Sequence, residues 1–209
     1  MRRCGVSSPT PEMKWLGLHL EARTARGLEG PGGAMSPGVS ALKGAVSFAI
    51  VSTIAYGIWA FRLWPYGPGM YAAIAVVYLG LGGFALGGLV SGRGAIPRVT
   101  ALFAVSFFVY ALIWCAFWFG LRGKFHADLW GAAIGLAAMS AVIRRAFGAT
   151  GGALEAWAVL FTCHTLGYTL GDELHAALRG VNGRLLWGTA HGAGFGAGLG
   201  YLLSVTQRR

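Results

Sequence analysis

VTALFAVSFFVYALIWCAFWFG, residues 99–120, runs for 22 residues without a charged side chain. A helix needs about 20 mostly apolar residues to cross the hydrocarbon core of a bilayer. The stretch therefore predicts a membrane-spanning helix. Five further stretches of the same kind lie on either side of it, at about 44–63, 70–91, 128–143, 153–174 and 185–204. The composition agrees: 56% of the 209 residues are apolar and 11% are charged, against about 25% charged in an average soluble domain. The expected fold is all-α, a polytopic integral membrane protein with six transmembrane helices in one glycine-packed bundle over residues 41–205. The connecting loops are too short to hold another domain.

The formal net charge of +10 would suit a nucleic-acid partner only if the basic residues formed one patch. They occur instead in ones and twos at the ends of apolar stretches, where Lys and Arg set orientation. The lipid bilayer is thus the expected partner, and nucleic acid is not. Twelve Lys and Arg fall on the side of the N-terminal tail, Arg93, Arg98, Arg144, Arg145 and the C-terminus, and five on the other. The imbalance predicts both termini in the cytoplasm, a short cytoplasmic tail at 206–209 and residence in the inner (cytoplasmic) membrane of a bacterial-type cell. Trp59, Trp64, Trp118, Trp130 and Trp187 would then lie toward the outer interface, where indole rings are favoured. Cys4, Cys115 and Cys163 are widely spaced and form no CxxC, so neither a disulfide framework nor a thiolate metal site is indicated.

Residues 1–40 differ from the rest. They are polar, punctuated by Pro and Gly and without a sustained apolar period, which reads as a disordered tail. They contain no apolar core of the kind a secretory signal requires. The expectation is that translation starts at Met35, which would reduce the orientation count to seven against five.

Glycine accounts for 35 residues and recurs at helical spacing: Gly83 and Gly87, Gly88 and Gly92, Gly131 and Gly135, Gly167 and Gly171. The last stretch carries two rows, Gly188/Gly192/Gly196/Gly200 and Gly194/Gly198 with Ala190. Rows of small residues let helix backbones approach closely in lipid. The sixth stretch therefore reads as a central helix, and the first and third, rich in Phe, Trp, Ile and Val, as lipid-facing. The same rows could join copies into a homo-oligomer, but their recurrence in four stretches favours packing within the chain.

Function concentrates in HTLGYTLGDELH (164–175) and LLWGTAHGAGFGAGLGYLL (185–203). Among only seven acidic residues and five histidines, Asp172, Glu173, His164, His175 and His191 fall here. Ionisable groups at membrane depth are costly and mark functional sites. His164, Tyr168, Asp172 and His175 share one helical stripe. By helix rise, His164 lies roughly 15 Å deeper than the outer end of its stretch, and His191 about 10 Å below the outer surface. His126 and Asp128, at the head of the fourth stretch, add two more groups on the same side.

Four chemistries are open to this outward-facing cluster. One is the organising of helices by hydrogen bonds across them. The second is the binding of a metal or haem through His164 and His191, although no HExxH or CxxCH is present. The third is the carrying of protons or ions along Asp172, His164 and Glu173. The fourth is a resemblance: AHGAGFGAG (190–198) is similar to the last-helix motif of rhomboid intramembrane proteases, with His191, Gly194 and Gly198 at the matching spacing. The resemblance implies a six-helix bundle with His191 at the site. GAAIG (131–135) stands where the nucleophile motif would be and contains no serine. Tyr78 and Gly82 stand where the oxyanion-stabilising residues of the second helix would be. Ser140, flanked by Met139 and Ala141, lies well below His191 by helix rise. The implied protein is rhomboid-like but not proteolytic. The preferred expectation is a non-enzymatic membrane protein whose cluster binds a small ligand or organises helices. The alternatives are a rhomboid-like or metal-dependent membrane hydrolase, and a proton- or ion-coupled carrier.

Overall fold

The computed structural model describes residues 35–90 and 94–208. Among the described residues there are six helices and no strand: α1 (Pro37–Ala60), α2 (Pro68–Gly87), α3 (Ala95–Gly120), α4 (Ala127–Phe147), α5 (Ala153–Leu178) and α6 (Gly180–Arg208). The first four are long and apolar enough to cross a membrane, which makes this an all-helical membrane protein. The helices α5 and α6 are as long, 26 and 29 residues, but glycine and polar side chains lower their hydropathy.

The helix α1 begins at Pro37, inside the stretch read as a tail, because Ser36 caps it. Ser36 Oγ accepts from the Val39 N–H at 3.3 Å, and proline occupies the first turn. Proline is tolerated there since that turn has no N–H partner to lose. The disorder expected of residues 1–34 lies outside the described residues. Met35 is tied to the far end of the chain, its carbonyl accepting from Ser204 Oγ at 3.0 Å and Arg208 Nη2 at 2.7 Å.

Each helix packs on its neighbours in sequence, and α6 returns to α1, so the bundle is a closed ring. The two glycine rows of α6 are its two contact faces. Gly188, Gly192, Gly196 and Gly200 lie against Tyr56, Phe48 with Ser52, Gly44 and Ser40 of α1, and Gly194 and Gly198 lie against Cys163 with Gly167 and against Leu160 of α5. From Trp187 to Gln207 no residue of α6 is exposed. The helix α1 is thus the partner of α6 along its length, and its outer face of Val39, Leu42, Val46, Ile50 and Ile54 is exposed. The other glycines are used in the same way: Gly83 and Gly87 of α2 meet Thr100 and Ile96 of α3, and Gly131 and Gly135 of α4 meet Trp114 and Tyr110.

Phe195 of α6 points into the ring, with its ring centroid 6.0 Å from Phe48, 6.3 Å from Phe107 and 6.1 Å from Tyr110. The glycines that join α2 to α1 and α3 are confined to its last turns (Gly82, Gly83, Gly87). Its first half offers Tyr71, Ile74, Ala75 and Tyr78 instead, and there the helices stand apart around a cavity.

A single residue, Arg179, joins α5 to α6 at φ 47° and ψ −171°. That region is essentially reserved for glycine and costs other residues about 1–3 kcal/mol. Arg179→Gly is expected to raise the midpoint of thermal unfolding, by a stabilisation of about 1 kcal/mol, read by circular dichroism.

Candidate functional site

The residues expected to cluster divide into a buried group and a rim. His164, on the buried face of α5, is 3% exposed. Its Nε2 lies 3.2 Å from His191 Nε2 of α6 and 3.1 Å from Tyr110 Oη of α3. The close approach follows from Gly167 and Gly194, one turn away from each histidine, where the two backbones touch. Tyr168 completes the group: its ring lies 6.3 Å from His164 and 6.1 Å from His191. Phe195 covers the pair from below, 5.5 Å from His164 and stacked on His191 at 6.1 Å.

An imidazole nitrogen carries either a proton or a lone pair. A hydrogen bond between the two Nε2 atoms therefore requires one ring to be protonated there and the other not. When both rings are neutral, one Nδ1 must bear a proton and the other a lone pair, whichever way the bond runs. Both Nδ1 atoms are buried and have no hydrogen-bond partner among the described residues. A buried polar group left in this state calls for water or a ligand.

The remaining residues of the expected cluster do not join the pair. Asp172 accepts a hydrogen bond from Trp187 Nε1 at 2.6 Å and is exposed. The His175 ring lies 5.7 Å from that of Trp59 at a tilt of 55°, and the Arg184 guanidinium lies 5.0 Å from the same indole. Glu173 and His126 are exposed, and His126 is the left-handed residue that opens α4 at φ 55°. Asp128 lines a cleft of about 10 Å³ shared with His164, Thr165 and Tyr168, room for about one water.

His191 and Tyr168 also line the larger cavity, of about 320 Å³. Tyr56 of α1, Tyr71 and Tyr78 of α2, Phe107, Tyr110 and Trp114 of α3, and Trp187 of α6 supply its other aromatic walls, with Ile74, Ala75, Ala111 and Cys115 between them. Its size falls at the lower end of the range for small-molecule sites, about 300–1,000 Å³. Tyr56 and Tyr168 have hydroxyls without a hydrogen-bond partner among the described residues.

Tyr110, Phe107 and Trp114 belong to the aromatic run that reads as lipid contact. They recur at i, i+3 and i+7 and so share one helix face, which turns inward, while Phe108 and Leu112 face outward at 61% and 55% exposure. The tyrosine hydroxyl, the one side-chain oxygen between Phe107 and Phe119, was the available signal.

Two expected chemistries meet this geometry poorly. Among the described residues no three His, Cys, Asp or Glu side chains could hold a metal ion together. Haem between His164 and His191 would need their nitrogens about 4 Å apart on opposite sides of iron, twice a metal–nitrogen bond of about 2 Å; they are 3.2 Å apart and bonded to each other. The bonded partner of His191 is an imidazole, and Ser140 Oγ has no hydrogen-bond partner. The glycines at 194 and 198 have a packing role against α5.

No protein-family model matches the chain, and neither a curated protein nor a solved structure matches it.

Proposed function

We propose that this is a six-span protein of the cytoplasmic membrane, with both termini inside, that binds a small, mainly apolar molecule in the aromatic cavity without transforming it. The cavity carries the reading: about 320 Å³ lined by side chains of five helices, eight of them aromatic, with His191 and the tyrosine hydroxyls as polar groups in the wall. Such a combination of apolar walls and few polar groups is the usual make-up of a ligand site. Six spans are supported by the burial pattern. The helix α5 exposes Leu154, Leu166 and Leu170 on its outer face, and α6 is sheltered between α1 and α5, so its low hydropathy does not face lipid. The Lys and Arg asymmetry supports the orientation, which puts the cavity in the outer half of the membrane.

Cys115 in the cavity wall provides the test. In a Cys4→Ser/Cys163→Ser background, naphthalene is expected to slow alkylation of Cys115 by a membrane-permeant maleimide, and to do so saturably. Ala111→Trp, which fills the cavity, should slow alkylation by itself and remove the naphthalene effect. Equal labelling of all samples would contradict the reading.

A proton-carrying role is favoured by one observation, the placing of Tyr110 Oη and His191 Nε2 both within hydrogen-bonding distance of His164 Nε2, which can bond either in turn. It would require His164→Phe to slow the collapse of a pH gradient across vesicles containing the protein.

A further inference from the structure

We propose that the occupant of the aromatic cavity is an uncharged, bilayer-soluble ring compound of the quinone–quinol class, bound through its ring oxygens to His191 and the neighbouring tyrosines. The inference rests on the reading of the cavity as a binding site and names the chemistry of what it binds.

Charge is decided by the walls. None of the thirteen lining residues is Lys, Arg, Asp or Glu. A charged ligand there would be desolvated without a counter-ion, which is strongly unfavourable. The charged groups nearby, Asp172 and Arg184, are engaged at the rim by Trp187 and Trp59.

Shape follows from the eight aromatic side chains, whose rings favour offset or edge-on contact with another ring. A volume of about 320 Å³ accommodates one substituted ring rather than a two-chain lipid. Such a compound dissolves in the bilayer, and the cavity is walled by the membrane-length helices α1, α2 and α3. Their outer faces, with Val76 71% and Leu112 55% exposed, are apolar on either side of it.

Oxygen functions follow from the polar atoms left over. Among the described residues the hydroxyls of Tyr56 and Tyr168 have no hydrogen-bond partner, and neither has the Nδ1 of His191. Each tyrosine hydroxyl can donate or accept. The histidine can do either as well, and the pairing with His164 is the reason. With His191 Nε2 accepting from His164, the His191 Nδ1 carries a proton and can donate to a carbonyl oxygen. With the bond reversed, His191 Nδ1 has a lone pair and can accept from a hydroxyl. The exchange moves the shared proton from one Nε2 to the other, takes a proton off one Nδ1 and places one on the other, and water in the cavity beside His191 and in the cleft beside His164 supplies and accepts those two protons. A quinone presents carbonyl oxygens and its quinol presents hydroxyls at the same ring positions, so one site fits both forms. A hydrocarbon of the same size would leave these polar groups unsatisfied.

The test uses the full chain in lipid nanodiscs, in the same single-cysteine background, with Cys115 alkylation as the readout. The probes are decylubiquinone, its quinol, n-decylbenzene and 4-decylbenzoate. The decylubiquinone ring is fully substituted and cannot add to the thiol. Both the quinone and the quinol are expected to protect Cys115 saturably, with decylbenzene and decylbenzoate weaker. His191→Phe should weaken protection by both oxygenated probes by about tenfold, the scale of one lost hydrogen bond. Tyr168→Phe, which keeps the ring, should weaken it in the same direction, and it carries the test if His191→Phe does not yield folded protein. If decylbenzene protects as well as the quinone and neither variant matters, the quinone–quinol assignment is overturned and the binding site stands. Stronger protection by decylbenzoate also overturns it. If no probe, naphthalene included, protects Cys115, the binding-site reading itself fails.

Discussion

Gly196→Leu is expected to abolish stable assembly of the bundle. A β-carbon at position 196 would press into the carbonyl of Gly44 and against the β-carbon of Phe48, with the Gly44 carbonyl carbon only 2.8 Å away. The obstacle is backbone of the facing helix, which no rotamer change can move. Overpacking in a core costs about 1–3 kcal/mol even where side chains can yield, and the whole folded state is worth only about 5–15 kcal/mol. Forcing α1 and α6 apart would also open the neighbouring contacts at Gly192 and Gly200, so the loss should exceed the upper end of that range. Size-exclusion chromatography and thermal unfolding in detergent would show aggregated or unfolded material. Gly80→Ala is the matched control: nothing lies within 4 Å of a β-carbon there, and removing a glycine from an exposed helix position gains up to about 1 kcal/mol of helix propensity. Unchanged unfolding of Gly196→Leu would mean that α1 and α6 do not meet along this row.

His164→Leu is expected to be the most damaging single change at the site. Among the described residues it removes the one hydrogen-bonding partner that Tyr110 Oη and His191 Nε2 share. His164 Nε2 has one proton or one lone pair for the two contacts, so the predicted loss is that of one buried polar group stripped of its partner, about 1–3 kcal/mol. Part of the loss belongs to the stranded tyrosine hydroxyl. Adding Tyr110→Phe to His164→Leu should therefore cost less than Tyr110→Phe costs in the native chain, a coupling of about 0.5–3 kcal/mol in a double-mutant cycle. Additive losses would show that the two groups do not interact.

These two sites differ in how far the sequence reveals them. The spacing of Gly188, Gly192, Gly196 and Gly200 sets a single face of a helix, and hydropathy alone marks α1 to α4 as membrane-length. Neither says which helix meets that face. Only the tertiary contacts pair it with Gly44, Ser40 and Phe48 of α1, a helix whose Ile, Phe and Trp content reads as lipid-facing and whose outer half is. The central position read for α6 becomes a place in a ring, because its two glycine rows serve two neighbours and the interior is filled by Phe195 and the aromatic cluster.

The polar cluster was legible as a region and not as a set of contacts. His164, Tyr168, Asp172 and His175 share one stripe, yet the first two reach the interior and the last two reach Trp187 and Trp59 at the end of the bundle. Helical periodicity fixes direction around an axis, whereas the partner depends on where the next helix crosses. That crossing is set by Gly167 and Gly194 for the histidine pair, and by the splaying of α2 from α3 for the cavity. The latter has no signature in either helix alone except the change from Gly82 and Gly83 to Tyr71 and Ala75 along α2.

The binding-site reading is tested most directly by an experimental density map of the protein extracted in its own membrane lipid, at a resolution that shows side chains. The predicted result is non-protein density of a single ring in the cavity, touching His191 and Tyr168, with the His164 and His191 rings bonded to each other. A cavity collapsed around its own aromatic side chains, with the two histidines apart, would contradict it.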